Sequence, residues 1–307
     1  MNWSGVMPAM TTPFDTNMKV DHKFLAQHAA WQLGNGCEAL VMLGSLGEGA
    51  TLEHQEKIDI LKTAVRVAGK APVVAAISSL STHGAVYLAK EAEAAGCTGL
   101  MVLPPYVYTS DWREMKQHVS TVIAATKLEC MLYNNPIAYK TDFQPEQIAE
   151  LAAEHENLKA VKESSADVRR VSAIREVLAD RLRISVGVDD VLVEGVGAGA
   201  VGWVAGLVNV YPAESVKLFQ LAKAGKSAEA FELYRWFLPL LRLDTVPKFV
   251  QLIKWVQERE GVGSARVRSP RLELQGEELK VTTAVFEKAH AERASIDEKP
   301  FSSFAGA

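Results

Sequence analysis

The sequence predicts an α/β fold, an eight-stranded (β/α)8 barrel with a C-terminal helical extension, on three observations. Eight short apolar runs recur along the first two thirds of the chain, seven segments of helical periodicity separate them, and from residue 212 onward the pattern is helical only. Strands and helices in alternation imply parallel strands joined by helix-sized crossovers. Eight such strands suffice to close a sheet on itself, and 307 residues accommodate one large barrel as readily as two ordinary domains.

The candidate strands are 5–10, 39–43, 72–77, 99–103, 130–133, 158–162, 182–186 and 200–205. Each reads as a short, nearly continuous apolar run, as strands buried on both faces do. Between them, apolar residues at helical spacing mark 21–33, 52–68, 82–95, 111–125, 145–154, 167–178 and 191–197. Thr51 is the expected N-cap of the second helix, with Glu53 and Glu56 near the positive end of its dipole, and Ser81 or Thr82 caps the third. Gly34, Gly69 and Gly96 follow apolar helical faces, where a left-handed residue terminates a helix. Beyond the last strand, 212–224, 227–241, 246–259 and 277–294 read as helices that pack on the barrel or on another subunit. The expected division is a catalytic barrel over 1–210, a helical extension over 211–294, and a mobile tail over 295–307 with little to bury.

Composition narrows the function. With 33 Lys+Arg against 37 Asp+Glu, the net charge of -4 gives no electrostatic reason to expect nucleic acid or an anionic membrane as partner. Any anionic substrate must be held locally. Cys37, Cys97 and Cys130 are odd in number, far apart and in apolar surroundings, so they read as buried thiols. The start of the chain lacks a basic segment followed by a long apolar run, and a reducing, cytoplasmic setting is expected. The stretch 191–211 has one charge, Glu194, but five glycines and many valines, which suits strand and turn better than a membrane helix. The seven histidines show no HxH or HExxH spacing, and no metal site is expected. The run Gly197 to Gly202 matches GxGxxG, but it leads into a strand-like segment rather than a helix, which disfavours a dinucleotide-dependent oxidoreductase.

Barrel chemistry gathers at the C-terminal ends of the strands. Three such ends stand out. Lys162 closes the sixth run, where a cation is costly unless paired or functional, and burial lowers a lysine pKa toward the range in which the free amine attacks carbonyls. Tyr133 lies 29 residues earlier, one βα unit before, so the two fall at the same end of neighbouring strands. A phenol there can shuttle protons to and from an imine. The turn after the second run, Gly44-Ser45-Leu46-Gly47-Glu48-Gly49, has three glycines, which lets its backbone aim N–H groups at a carboxylate while Ser45 adds a hydroxyl. Glu48 reads as a brace for that turn.

At this point the residues resemble a family. Gly-Val-Met-Pro-Ala-Met-Thr-Thr-Pro-Phe at 5–14, Gly-Ser-Leu-Gly-Glu at 44–48, Leu-Pro-Pro-Tyr at 103–106, Leu-Tyr-Asn-Asn-Pro at 132–136, Val-Lys-Glu-Ser-Ser at 161–165 and Asp189-Asp190 stand in the order of the dihydrodipicolinate synthase / N-acetylneuraminate lyase family. The resemblance spans roughly residues 3–275. It implies a TIM barrel and a class I Schiff-base lyase that needs no cofactor and assembles as a homotetramer built from dimers. By the same resemblance Lys162 forms an imine with a 2-oxo acid, Tyr133 is the proton shuttle, and Ser45 with the Leu46 backbone N–H holds the substrate carboxylate.

Departures bear on the substrate. Dihydrodipicolinate synthases usually carry two threonines where this chain has Ser45 and Leu46, a second relay tyrosine where it has Val107, and an arginine for a second carboxylate where it has Ala138. Loss of such a charge-assisted hydrogen bond costs about 1.5 to 3 kcal/mol of recognition. Lysine biosynthesis is therefore a poor fit. Asn134-Asn135-Pro136, Gly187-Val188-Asp189-Asp190, Val201-Gly202-Trp203-Val204, the stretch 234–241 and Leu243-Asp244 look more like the Δ1-pyrroline-4-hydroxy-2-carboxylate deaminases. Val188 and Val107 then give an apolar pocket for a small ring, Val188 and Val204 are expected to bind substrate, and Tyr108 is an auxiliary proton donor. The alternatives are 4-hydroxy-2-oxoglutarate aldolase, a sugar-acid dehydratase or aldolase, dihydrodipicolinate synthase, and a non-catalytic binding barrel.

Overall fold

The computed structural model describes residues 1–106, 110–293 and 297–307. Eight parallel strands, β1 (Gly5–Pro8), β2 (Leu40–Met42), β3 (Val73–Ile77), β4 (Gly99–Val102), β5 (Glu129–Asn134), β6 (Leu158–Glu163), β7 (Arg183–Val186) and β8 (Gly202–Ala205), pair each with the next. β1 also pairs with β8, and the bridge between Ala9 and Val41 joins it to β2, which closes the barrel. The strands are almost wholly buried, β3, β4 and β8 at every position. They form a packed core rather than a pore.

Helices α1 (His22–Gly34), α2 (His54–Ala68), α3 (Thr82–Ala94) and α4 (Trp112–Ala124) cover the outside after the first four strands. The short α5 (Pro136–Tyr139) and then α6 (Pro145–Glu154) follow β5, with α7 (Arg169–Leu178) after β6 and α8 (Leu192–Gly197) after β7. Ser81 caps α3 as expected, its hydroxyl accepting the Gly84 N–H at 3.1 Å. The cap of α2 is Glu53, not Thr51. Thr51 belongs to a 3-10 turn (Gly49–Thr51), while Glu53 and Glu56 form a reciprocal capping box in which the Glu53 N–H donates to Glu56 at 2.8 Å. Gly69 and Gly96 take positive φ, but Gly34 does not; it is still part of α1, lying against the Phe304 ring, and the left-handed residue that follows is Gly36.

α9 (Pro212–Lys223) packs against β1 and α8, so it is the eighth helix of the barrel. The boundary expected at residue 210 moves to the far side of α9, and the appended helices are α10 (Ser227–Leu241), α11 (Phe249–Arg259) and α12 (Gly276–Ala291). The final segment, expected to have little to bury, seats Phe301 against Phe24 and Trp31, with ring centroids 5.3 and 5.4 Å apart, while Trp31 Nε1 donates to the Lys299 carbonyl at 2.8 Å. In the stretch 191–211, Gly197 ends α8 and the chain turns into β8. Helix leads into strand there, the reverse of a dinucleotide-binding turn. Among the described residues no helix is long and apolar enough to cross a membrane, and no group of three or more His, Cys, Asp or Glu is placed to hold a metal. The three cysteines are buried and free, and burial pushes their thiols up, to about 12 at Cys97 and Cys130.

Candidate active site

The barrel mouth is built from strand ends that the register brings level. Tyr133 on β5 pairs with Lys162 on β6, and Lys162 with Ser185 on β7. The Lys162 Nζ stands 4.3 Å from the centre of the Tyr133 ring, so the two residues expected to act together do meet. Both are nearly inaccessible, at 6% and 4% exposure. Burial lowers the Lys162 ammonium to about 8, against the opposing charges of Asp244 and Asp189. Burial likewise pushes the Tyr133 phenol up to about 12, although Asn135 and Ser164 pull it part of the way back. A phenol held there keeps its proton at neutral pH and is a donor at rest.

A second buried lysine sharpens the contrast. Lys254 on α11 donates to Glu48 at 2.8 Å and to the Thr12 carbonyl at 2.9 Å. It is fixed in an ion pair at 2% and 0% side-chain exposure. Lys162 has no carboxylate within ion-pair distance among the described residues, which leaves its amine free to react.

The same ion pair explains Glu48, which braces the turn as expected and also accepts the Arg268 N–H at 2.9 Å. Leu43 (φ 66) and Glu48 (φ 56) are left-handed, and a Cβ on Gly49 would come within 2.1 Å of the Leu43 carbonyl oxygen. The glycines at 47 and 49 thus serve close backbone packing, whereas the ligand-facing candidates are Ser45 and the N–H groups of Ser45 and Leu46, which have no acceptor among the described residues. Breaking a buried pair strands the other charge at a cost of about 3 kcal/mol or more. Glu48→Gln should therefore lower the unfolding free energy by about that amount in a urea titration, and an unchanged midpoint would show that Lys254 finds another partner.

Tyr139 is the site residue that sequence reading missed. Its hydroxyl pairs with Ser45 Oγ. Its ring meets the Tyr133 ring edge-on at 5.8 Å and the Tyr106 ring at 5.6 Å. The short helix α5 puts it there: Asn135 caps that helix by accepting the Ala138 N–H at 2.9 Å, and its amide donates to the Tyr133 hydroxyl at 3.0 Å. Tyr139 links the Ser45 turn to the Tyr133–Lys162 pair across the mouth. The signal was a tyrosine one helical turn beyond Pro136, too local a pattern to reveal a contact with residue 45.

The other expected residues fall around this group. Leu46 is buried in the turn, and Val204 is buried on β8 at the same parity as Gly202, where a Cβ would stand 2.5 Å from the Ser185 hydroxyl. Val188 is half-buried just before Asp189. Ala138 is exposed and brings no charge to the mouth. Tyr108 and Val107 lie outside the described residues. A separate cavity of about 540 Å³ opens on the side of α1, lined by Trp31, Glu260, Arg293 and Phe301 among others. It holds no lysine, and its arginine is paired with Glu214, Glu260 and Glu298.

Residues 2–289 match the Dihydrodipicolinate synthetase family. Among curated relatives, the 4-hydroxy-tetrahydrodipicolinate synthase of Agrobacterium fabrum is 33% identical over 277 residues, covering 87% of this chain and 92% of its own. The enzyme of the same name from Mesorhizobium japonicum is 33% identical over 268 residues, covering 87% and 91%. The solved 4-hydroxy-tetrahydrodipicolinate synthase of Methylacidiphilum fumariolicum SolV superimposes with a TM-score of 0.90 at 28% identity, covering 94% of this chain and 96% of its own. A buried, unpaired lysine at a strand end of a closed barrel and a match along nearly the whole chain converge: this protein belongs to the dihydrodipicolinate synthetase family and is an enzyme of its Schiff-base lyase class.

Proposed function

We propose that the protein deaminates and dehydrates Δ1-pyrroline-4-hydroxy-2-carboxylate to 2-oxoglutarate semialdehyde through an imine on Lys162. The observation that carries the reading is Lys162 itself, buried, unpaired and stacked on Tyr133. Ala138 favours a substrate with one carboxylate, because no cation stands there for a second. Ser45 and the Leu46 N–H hold that carboxylate, and Val188 and Val204 face the ring carbons.

In this mechanism the Lys162 amine adds to C2 of the cyclic imine, and the C2–N bond to the ring nitrogen breaks, leaving a free amine on C5. The protonated lysine imine draws electrons from C3, whose proton leaves, and the C4–OH bond breaks with release of water. Tyr133 serves these proton transfers. The resulting alkene isomerises to a C5 imine. One water hydrolyses that imine to the aldehyde and ammonia, and a second releases the 2-oxo acid and regenerates Lys162. Net consumption is one water per ammonia formed.

A second reading, 4-hydroxy-tetrahydrodipicolinate synthase, is supported by the names of the relatives. A side-by-side assay separates the two. Ammonia release from the pyrroline should exceed both pyruvate release from 4-hydroxy-2-oxoglutarate and condensation of pyruvate with aspartate semialdehyde. Condensation without ammonia release would decide for the synthase. For the carboxylate turn, Ser45→Ala should raise KM about tenfold with little change in kcat, the net worth of one hydrogen bond to a charged group; an unchanged KM would move the carboxylate elsewhere. The homotetramer implied by the family is part of the same reading, and a native mass of four 33.5-kDa chains would support it.

A further inference from the structure

Three aspartates gather at the mouth, two of them, Asp189 and Asp244, close enough to act on the charge of Lys162, and their surroundings differ. Asp189 is fully engaged, accepting Trp203 Nε1 at 3.0 Å, the Gly206 N–H at 3.1 Å and the Leu207 N–H at 2.8 Å. Asp190 faces Arg242 at 3.6 Å. Asp244, in the 3-10 turn Arg242–Asp244 that links α10 to α11, accepts no hydrogen bond among the described residues. This turn packs on the Asp189–Val191 turn and carries Asp244 over the end of β8, where a Cβ on Gly206 would stand 2.1 Å from its Oδ1. The residue is half-buried and its side chain is crowded by protein. That crowding, with the charge of Asp189, holds its carboxyl well above the usual carboxylate range, and Lys162 offsets part of the effect. After burial, Asp244 is in turn the largest influence on Lys162. A crowded carboxyl without a donor is costly.

We propose that Asp244 is the specificity-determining residue for the far end of the substrate, receiving an amine or hydroxyl donor there and rejecting a second carboxylate. The proposal rests on the reading that Lys162 binds the 2-oxo end. Ring opening of a pyrroline frees an amine on the carbon farthest from the carboxylate, and a carboxyl group is the side chain suited to pair with it. An incoming ammonium would draw the Asp244 carboxyl to its ionised form, whereas a second carboxylate would add to the negative charge of Asp189 and hold that carboxyl neutral, with no ion pair gained.

The test uses two five-carbon acids that differ at the far end, 5-amino-2-oxopentanoate, supplied as its cyclic form Δ1-pyrroline-2-carboxylate, and 2-oxoglutarate. Equilibrium dissociation constants are measured by calorimetry on the full chain and on Asp244→Asn, with Asp244→Ser as the second variant, and both are normalised to pyruvate, which has no far end. The parent protein should prefer the amine-ended acid, and each variant should shrink that preference at least tenfold. A preference for 2-oxoglutarate in the parent, or a ratio the variants leave unchanged, would overturn the proposal. Ammonia release from the hydroxylated pyrroline, measured in parallel, reports on the deaminase reading separately, so a protein that releases none still yields the ratio that decides the role of Asp244.

Discussion

Lys162→Ala should reduce turnover by about four orders of magnitude while leaving the fold intact. The expectation follows from nucleophilic catalysis: without the imine there is no electron sink at C2, and the C3 proton is no longer acidic enough to leave. The stability cost should be modest, because removal of Lys162 takes a costly ammonium out of a buried site and breaks no ion pair among the described residues. The pH dependence belongs to the same prediction. Burial lowers Lys162 to about 8, so the free amine makes up about a tenth of the protein at pH 7, against far less for an ordinary lysine. The rate of imine formation should rise from pH 6 to 8 and level off above, since the reactive form is the deprotonated one. A rate independent of pH across that window would mean that Lys162 is not the attacking group. Lys254→Met is the control: it removes the other buried lysine, and it should cost stability through Glu48 and leave adduct formation in place.

The second large effect is expected at Tyr133. Tyr133→Phe keeps the ring under the Lys162 ammonium and removes only the hydroxyl that accepts the Asn135 amide at 3.0 Å. Proton transfer by a positioned side chain contributes about 10² to 10⁴ in rate, so kcat should fall by about that range while KM moves little. The phenol, held up at about 12, is protonated at working pH and can take a proton only as it passes its own on. Tyr139, edge-on to Tyr133 and bonded to Ser45, is placed beside that path, so a Tyr139→Phe variant should lose less than Tyr133→Phe and should also perturb carboxylate binding through Ser45. A rise in KM with kcat unchanged for Tyr133→Phe would assign its hydroxyl to binding rather than proton transfer.

What could be read from sequence was what local spacing controls. The apolar runs marked all eight strands to within a few residues, because barrel strands are buried on both sides and their composition says so. The ends of those runs also exposed Lys162 and Tyr133, since one βα unit of spacing puts two strand ends side by side. The misses share a different cause. Thr51 had the composition of a cap but was drawn into the turn that holds Glu48, and Glu53 took its place. The contacts of Tyr139 with Ser45, of Phe301 with Trp31 and of Asp244 with Gly206 join residues far apart in sequence, and no periodicity encodes them. α9 looked like the start of the appended helices because nothing in its pattern shows that it packs on β1.

The most direct test is borohydride reduction in the presence of pyruvate, and separately of the pyrroline carboxylate, followed by peptide mass mapping. The account predicts one covalent adduct per chain, on the peptide that contains Lys162, and none in Lys162→Ala. An active protein that forms no adduct, or one whose adduct maps to Lys254 or any other lysine, would contradict it.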